Sequence, residues 1–479
     1  MFSCAGDKVP QPACFSHNLA LNEKIKLNLN SRDLFSQVFY EEEGSEQLTT
    51  RNQKTIINDN IPFSRYWQLK DKKAFVLHPM VLGRYIYNNA EKLASDTVFK
   101  EKLKQVGYQL SNGNGMAYYY PEHYPLNRML GPDIAYSAIS QSEILSGFMK
   151  INEYSSLYKD ELKSSFDALV FDYYKGGVNL ADKALLEIPL IRSAPEIILN
   201  GWLYALLHLN DYVRIYKDTM ATRVLHSNLE FMAQNIDVWY DQENNISLYS
   251  DMSPYRGKIE FTDAQLKSDY DLSIRYVSKV KDFKDQLIEL NEDTLKYGAY
   301  DNHITFKKNN TVGLFFNYGH FFETVIESDK EFQLSFYNGS YDPLRSSPNS
   351  KGDHIKLNSK GNLATGKYYV NISETKTNMF AGYPTNFSKK GNKNHYHVIH
   401  IVGILYLVNN VEDLDPQVKE TLILAAKKWY LNTLNYEHYD IKKFSSPQSI
   451  LDGINRGKTI IDTDSISTLF EMSNIEEKW

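Results

Sequence analysis

Residues 185–209 read LLEIPLIRSAPEIILNGWLYALLHL and join a polar loop to a helix too apolar to lie on a surface. From Ile197 onward apolar side chains fill nearly every position (Ile197, Ile198, Leu199, Trp202, Leu203, Leu206, Leu207), so the helix is expected to be buried on most sides. Pro195 suits its first turn. The exceptions carry the functional information. Glu187 lies just before Pro189, Arg192 follows in the loop, and Asn200-Gly201 breaks the apolar run where backbone or ligand can approach closely. The stretch reads as a loop held at the mouth of a helical core. A carboxylate paired with a nearby cation is the plainer alternative.

Working outward, helical patterning begins near Leu77, where HPMVLGRYIYNNAEKL puts Val81, Leu82, Tyr85 and Ile86 on one side. The run GPDIAYSAISQSEILSGFMKI from Gly131 is expected to be a helix started by Pro132, with small residues permitting close helix contact. YSSLYKDELKSSFDALVFDY, the turn at Gly176-Gly177-Val178, the central helix and VLHSNLEFMAQNIDVWYD follow. Paired helices whose inner member is small or apolar and whose outer member is charged point to an α/α toroid, in which sites lie where the inner helices end. After Tyr255 the pattern changes to short aromatic or β-branched runs (HITFKK, GLFFNYG, EFQLSFYNGSY, HIKLN, KYYVNIS) bounded by Gly, Asn and Asp, the signature of a β-sandwich-like module. Helical patterning resumes at HYHVIHIVGILYLV, and Asp415-Pro416 offers a cap and first turn for a last helix. The fold class is therefore α+β: an N-terminal arm over 1–75 with a short helix at 31–40, a toroid over 76–255, an inserted β module over 256–393, and the rest of the toroid with a closing strap over 394–479.

A chain of 479 residues exceeds the roughly 250–300 at which single cores stop growing, so two or three structural units are expected. The net charge of −6 excludes a nucleic-acid footprint, and an anionic substrate has to be met by local cations. No apolar run reaches the roughly 18–20 residues that cross a bilayer. Cys4 and Cys14, both in the N-terminal tail, leave no disulfide framework and no thiol chemistry. The opening MFSCAGDK resembles the end of a bacterial lipoprotein signal, which points to the envelope or periplasm, yet only three residues precede Cys4; read as chance, the likeness leaves a cytoplasmic protein. A homodimer is compatible with all of this.

Three places carry chemistry: Glu187 with Arg192; Tyr249 in NISLYSDMS; and NHYHVIH at 394–400, at the start of an otherwise apolar helix on which Tyr396 and His400 share a face with His397 beside them. The tyrosine-dense loop at 118–128, holding Tyr120, Tyr124 and Arg128, offers exposed aromatics beside a cation, as sugar binding requires, unless it is packed. His395, His397 and His400 lack the carboxylate or the HExxH pair of a catalytic zinc site, so no metal is expected. A set of core histidines bonded to backbone is the structural alternative.

GPDIAYSAISQSEIL, the GGV turn, Glu187-Ile188-Pro189 leading to ILNGWLYALLHLNDY, LYSD, and YHVIHI before AAKKWYLNTL together resemble, in order and content, the C-terminal domain of the glucuronyl C5-epimerases. LNGWLYALLHL is the most specific piece, and the resemblance covers about residues 120–255 and 394–435. It implies a cofactor-free α/α-toroid enzyme acting at C5 of a uronic acid in an anionic polysaccharide, with Glu187, Tyr249 and Tyr396 where the family keeps catalytic groups and His397 and His400 nearby. Arg128, Arg192, Tyr120, Tyr124 and Asn200 are the expected substrate contacts. A C5 hydrogen beside a carboxylate is a very weak acid, so the site must neutralise that carboxylate and supply positioned proton carriers. The chain departs from the family in three ways. Ile188 stands where the family has Tyr, YSDMS at 249–253 lacks the Arg and His of the family's YDLRH, and the β module separates Tyr249 from Tyr396. A uronate lyase, needing fewer donors, and a non-catalytic glycan-binding protein are the other readings.

Overall fold

The computed structural model describes residues 74–110, 113–120, 136–175, 177–187, 197–241, 246–251 and 395–434, together with the strands named below. The protein is an α+β molecule whose helices come as hairpins. We number them α1 (Pro79–Asn88), α2 (Thr97–Val106), α3 (Ala138–Asn152), α4 (Lys159–Leu169), α5 (Leu199–Tyr216), α6 (Thr219–Asn235), α7 (His395–Asn410) and α8 (Pro416–Leu434). One apolar core runs from Ile56 to Tyr430 through all of them.

Local chemistry sets the hairpin turns. Lys217 ends α5 in the left-handed region (φ 50°), and the Asp218 carboxylate then accepts from Ala221 N–H to start α6. Asp413 (φ 53°) makes the corresponding reversal after α7. Asp415 accepts from the N–H groups of Gln417 and Val418, so the expected Asp-Pro start of α8 is present.

Helices α1, α3, α5 and α7 run parallel, side by side. Gly83 of α1 lies so close to α3 that a Cβ there would sit 2.5 Å from the Glu143 carbonyl carbon, and Gly147 would meet Ile86 at 2.9 Å. Two glycines thus set the α1–α3 separation. Between α5 and α7 the contact is Leu203 against Gly403 near the start, and Lys217 pairs with Glu412 at 2.8 Å beyond the far ends. Both α3 and α5 begin beside the 186–187 segment: Ala138 N–H donates to Leu186 O, and Glu187 lies against Gly201. Parallel alignment brings all four N-termini to one end of the helical layer, the positive end of each helix dipole.

Two helix starts differ from expectation. α3 begins at Ala138, with Ser137 extended (φ −116°, ψ 137°), because Ala138 N–H is taken by Leu186 O; Pro132 and Asp133 lie outside the described residues. α5 begins at Leu199, beyond Pro195, because Ile197 and Ile198 are held in extended pairing with residues 250 and 251.

The N-terminal segment forms an antiparallel sheet of β1 (Phe39–Tyr40), β2 (Gln47–Thr50), β3 (Gln53–Asn58), β4 (Ile61–Arg65) and β5 (Ala74–Leu77), in the order β1-β5-β4-β3-β2. Ile56, Ile61, Phe63, Phe75 and Leu77 join it to the common core. Phe39–Tyr40, expected at the end of a short helix, pairs with β5 instead; the remainder of that helix, 31–38, is outside the described residues. From Tyr255 the expected strands are present as two five-stranded antiparallel sheets. One is ordered Val277–Asp282, Gly313–Tyr318, Tyr255–Phe261, Phe332–Asn338, His354–Ile355; the other Asn291–Lys296, Ala299–Phe306, Tyr270–Arg275, Thr324–Ser328, Gly366–Val370. Among the described residues no helix is long and apolar enough to cross a membrane.

Candidate functional site

The N-terminal ends of α5 and α7 are tied together by residues 246–251. Strands Tyr240–Asp241 and Ile246–Ser247 pair as a hairpin, and Leu248 N–H donates to Trp239 O. Beyond the hairpin the chain runs against α5: Tyr249 O accepts from Leu199 N–H, Ser250 bridges Ile198, and Asp251 N–H donates to Ile197 O. Asp251, fully buried, closes the contact by accepting from Ile197 N–H at 2.6 Å. The orphan donors at the head of α5 are thereby used by the loop that carries Tyr249.

On the other side Ser247 meets α7. Its N–H donates to His397 Nδ1 at 2.9 Å, and its Oγ lies 2.8 Å from that nitrogen and 2.7 Å from His400 Nδ1. His397 Nε2 faces Trp429 O of α8 at 3.3 Å. Both histidines and Ser247 are fully buried. The alternative of core histidines bonded to backbone therefore holds for His397, whereas His400 meets a side chain at Nδ1 and has no hydrogen-bond partner at Nε2 among the described residues.

Glu187 enters from the loop after α4. Its side chain occupies the space that a Cβ on Gly201 would take, within 2.5 Å of that Cβ position at Glu187 Cβ and 2.6 Å at Cδ. The close approach expected at Asn200-Gly201 is therefore made by the Glu187 side chain. Asn200, beside it in the first turn of α5, is buried, and its Oδ1 has no hydrogen-bond partner among the described residues. Glu187, Asn200, the Tyr249 main chain and His397–Ser247–His400 thus share one end of the helical layer. Tyr396 lies in the first turn of α7, directly before His397 in sequence; its side chain, with Arg128, Tyr124 and Arg192, falls outside the described residues.

Tyr120 takes the packed alternative. With Tyr118 and Tyr119 it is buried instead of exposed, its hydroxyl 2.7 Å from Ser140 Oγ and its ring edge-on to His78. Tyr119 packs edge-on between Tyr108 and Tyr136, so this part of the tyrosine run is core, and burial drives the Tyr118 and Tyr119 phenols well above their ordinary range. Sequence reasoning missed Ser247, Asp251 and the Trp429 carbonyl. Nothing local marks them, since each acts on a residue at least 32 positions away. Among the described residues no group of three or more His, Cys, Asp or Glu is placed to hold a metal.

No family model, curated protein or solved structure matches this chain.

Burial holds three histidines neutral. The His397 ring is pushed down to about 4 by desolvation, against the opposing pull of the Trp429 carbonyl; His400 is held well below its ordinary value by desolvation and by His397 beside it; and burial with the nearby Arg84 guanidinium takes His78 to about 3. A depressed histidine stabilises the fold fully above the unfolded value of 6.5. As pH falls below it, the unfolded chain gains protons that the folded rings refuse. Stability is expected to drop between pH 7 and pH 5, by about 2 kcal/mol from His397 alone. Denaturant titrations at the two pH values measure the drop. Imidazole C2–H resonances of His78, His397 and His400 that titrate near 6.5 in the folded protein would refute the assignment.

Proposed function

We propose that the chain is a polysaccharide-modifying enzyme resembling the uronosyl C5-epimerases, built as an α/α toroid with an inserted β-sandwich-like module. It removes the C5 proton of a uronic acid residue in an anionic polymer and returns it from the other face. The observation that carries this reading is the placement of the Glu187 side chain against Gly201 at the mouth where α5 and α7 begin, with Tyr249 and the α7 histidines on the same end. Several helix N-termini facing one way favour a bound anion, here the substrate carboxylate, and Arg128 and Arg192 are assigned to neutralise it. Glu187, Tyr249 and Tyr396, with His397 and His400 beside them, serve as proton carriers or orient them. Tyrosine gives up a proton as an acid without help but acts as a base only where neighbouring charge or hydrogen bonds lower its value from about 10.

A lyase is the second reading, and one observation favours it. In YSDMS the Asp251 carboxylate is committed to Ile197 N–H, and the family's Arg and His are absent, so fewer groups are left for protonation on two faces. A lyase needs only abstraction at C5 and a proton for the oxygen leaving C4.

Incubation with glucuronate- and mannuronate-containing polymers in heavy water separates the readings. Epimerisation puts deuterium at C5 at constant chain length, whereas elimination gives shorter chains with an unsaturated, ultraviolet-absorbing end. Tyr396→Phe keeps the ring and is expected to lower either activity by about 100-fold or more with the fold intact. Binding without deuterium uptake or ultraviolet product would leave a glycan-binding protein.

A further inference from the structure

Each close polar contact that Ser247 makes with His397 and His400 among the described residues has to contain one proton, and this requirement assigns them. A backbone N–H can only donate, so the 2.9 Å contact from Ser247 N makes His397 Nδ1 an acceptor without a proton. The neutral ring then carries its proton on Nε2, where it faces the Trp429 carbonyl, which can only accept. Both ends of the His397 ring agree on this tautomer. Ser247 Oγ lies 2.8 Å from the same bare Nδ1, a distance that is attractive only if the hydroxyl donates to it. That uses the one proton the serine has. The 2.7 Å contact between Ser247 Oγ and His400 Nδ1 must therefore take its proton from His400. A neutral His400 protonated on Nδ1 has a bare Nε2, and that atom is fully buried with no hydrogen-bond partner among the described residues.

We infer that Ser247 is a positioning residue that holds His400 in the Nδ1–H tautomer, so that His400 Nε2 presents a lone pair as the proton acceptor of the reaction. The role in turnover rests on the proposed function; the tautomer does not. On abstraction the C5 proton goes to Nε2 and the electron pair stays on the substrate, delocalised into its carboxylate. The resulting imidazolium is met by a serine whose hydroxyl already points at His397, leaving its oxygen lone pairs toward His400 Nδ1–H, so no dipole has to turn as the charge appears. Asn200 Oδ1, one turn before Leu203 on the neighbouring helix as His400 is one turn before Gly403, is a second buried acceptor at this end without a partner among the described residues.

The test is long-range 1H–15N correlation of histidine ring nitrogens in the full-length protein, assigned with His397→Gln and His400→Gln. The expected result is Nε2–H for His397 and Nδ1–H for His400. In Ser247→Ala, His397 keeps its tautomer through the surviving main-chain bond while His400 gains the Nε2–H form. Ser247→Thr, which keeps the hydroxyl, restores the Nδ1–H form and covers the case in which the alanine variant does not fold. Nε2–H on His400 in the unaltered protein, or a tautomer indifferent to Ser247→Ala, overturns the inference. On a uronate polymer that is turned over, Ser247→Ala is expected to lower kcat by at least about 100-fold with KM little changed. Unchanged kcat overturns the catalytic role. Should no uronate polymer be turned over at all, the proposed function fails while the tautomer measurement still decides the positioning role.

Discussion

Under the proposed function, Gly201→Ala is expected to cut turnover by about 100-fold or more, the loss that follows when a reacting group is displaced by about an ångström. The added Cβ would fall within 2.5 Å of Glu187 Cβ and 2.6 Å of its Cδ, and closer still to its carboxylate. Because the overlap reaches back to Cβ, turning the carboxylate aside does not relieve it, and either the 187 backbone or the head of α5 must move. Overpacking of this kind costs about 1–3 kcal/mol, while alanine gains up to about 1 kcal/mol over glycine inside a helix, so the net loss of stability should stay within about 2 kcal/mol. The effect therefore separates activity from folding. Gly201→Ala and Glu187→Ala should lose kcat/KM by similar factors and the double variant by scarcely more, since both remove one placed carboxylate. A folded Gly201→Ala variant with full activity would remove Glu187 from the site.

For the fold, the largest single effect is expected at Trp202. Its ring is fully buried on α5, 5.6 Å from Trp239, and its Nε1–H donates to Asn228 Oδ1 of α6 at 2.7 Å. Asn228 Nδ2 in turn holds Asp182 O and Val224 O, so one amide links α5 and α6 to the segment that leads to Glu187. Trp202→Ala is expected to cost about 3–5 kcal/mol from lost burial and cavity. Trp202→Phe should cost less, about 1–3 kcal/mol, because it keeps most of the ring but leaves a buried carbonyl oxygen without its donor. Denaturant midpoints measure both. An alanine variant within 1 kcal/mol of the parent would show that α5 is not the centre of the core.

The periodic signals in the sequence were enough for the helices α1 and α4 to α8, for the strands after Tyr255 and for the Asp415-Pro416 cap, because each follows from neighbours within one turn or one pleat. The apolar stretch from Leu199 likewise determined that α5 would be central, since no surface could hold it. Helix starts were legible only where the cap is local. α3 and α5 begin later than their prolines indicate because Leu186 O and the 250–251 segment claim the backbone there, and those partners come from elsewhere in the chain. Tyr120 failed for a related reason. A tyrosine-rich run has the same composition whether it faces solvent or a core, and only the packing of Tyr108, Tyr119 and Tyr136 decides between them.

By itself the sequence determined the types of the elements just named, though not the N-terminal sheet, and the residue chemistry available at Glu187, Asn200, Tyr249, Tyr396, His397 and His400. The tertiary structure alone decided that the parallel alignment of α1, α3, α5 and α7 gathers the described part of that chemistry at one end. It also decided that a Cβ-free position is what admits Glu187, and that Ser247, 150 residues from His397, sets which histidine nitrogen is bare. The reason is physical: hydrogen-bond direction and close approach depend on distances between separate elements, and no local periodicity encodes them.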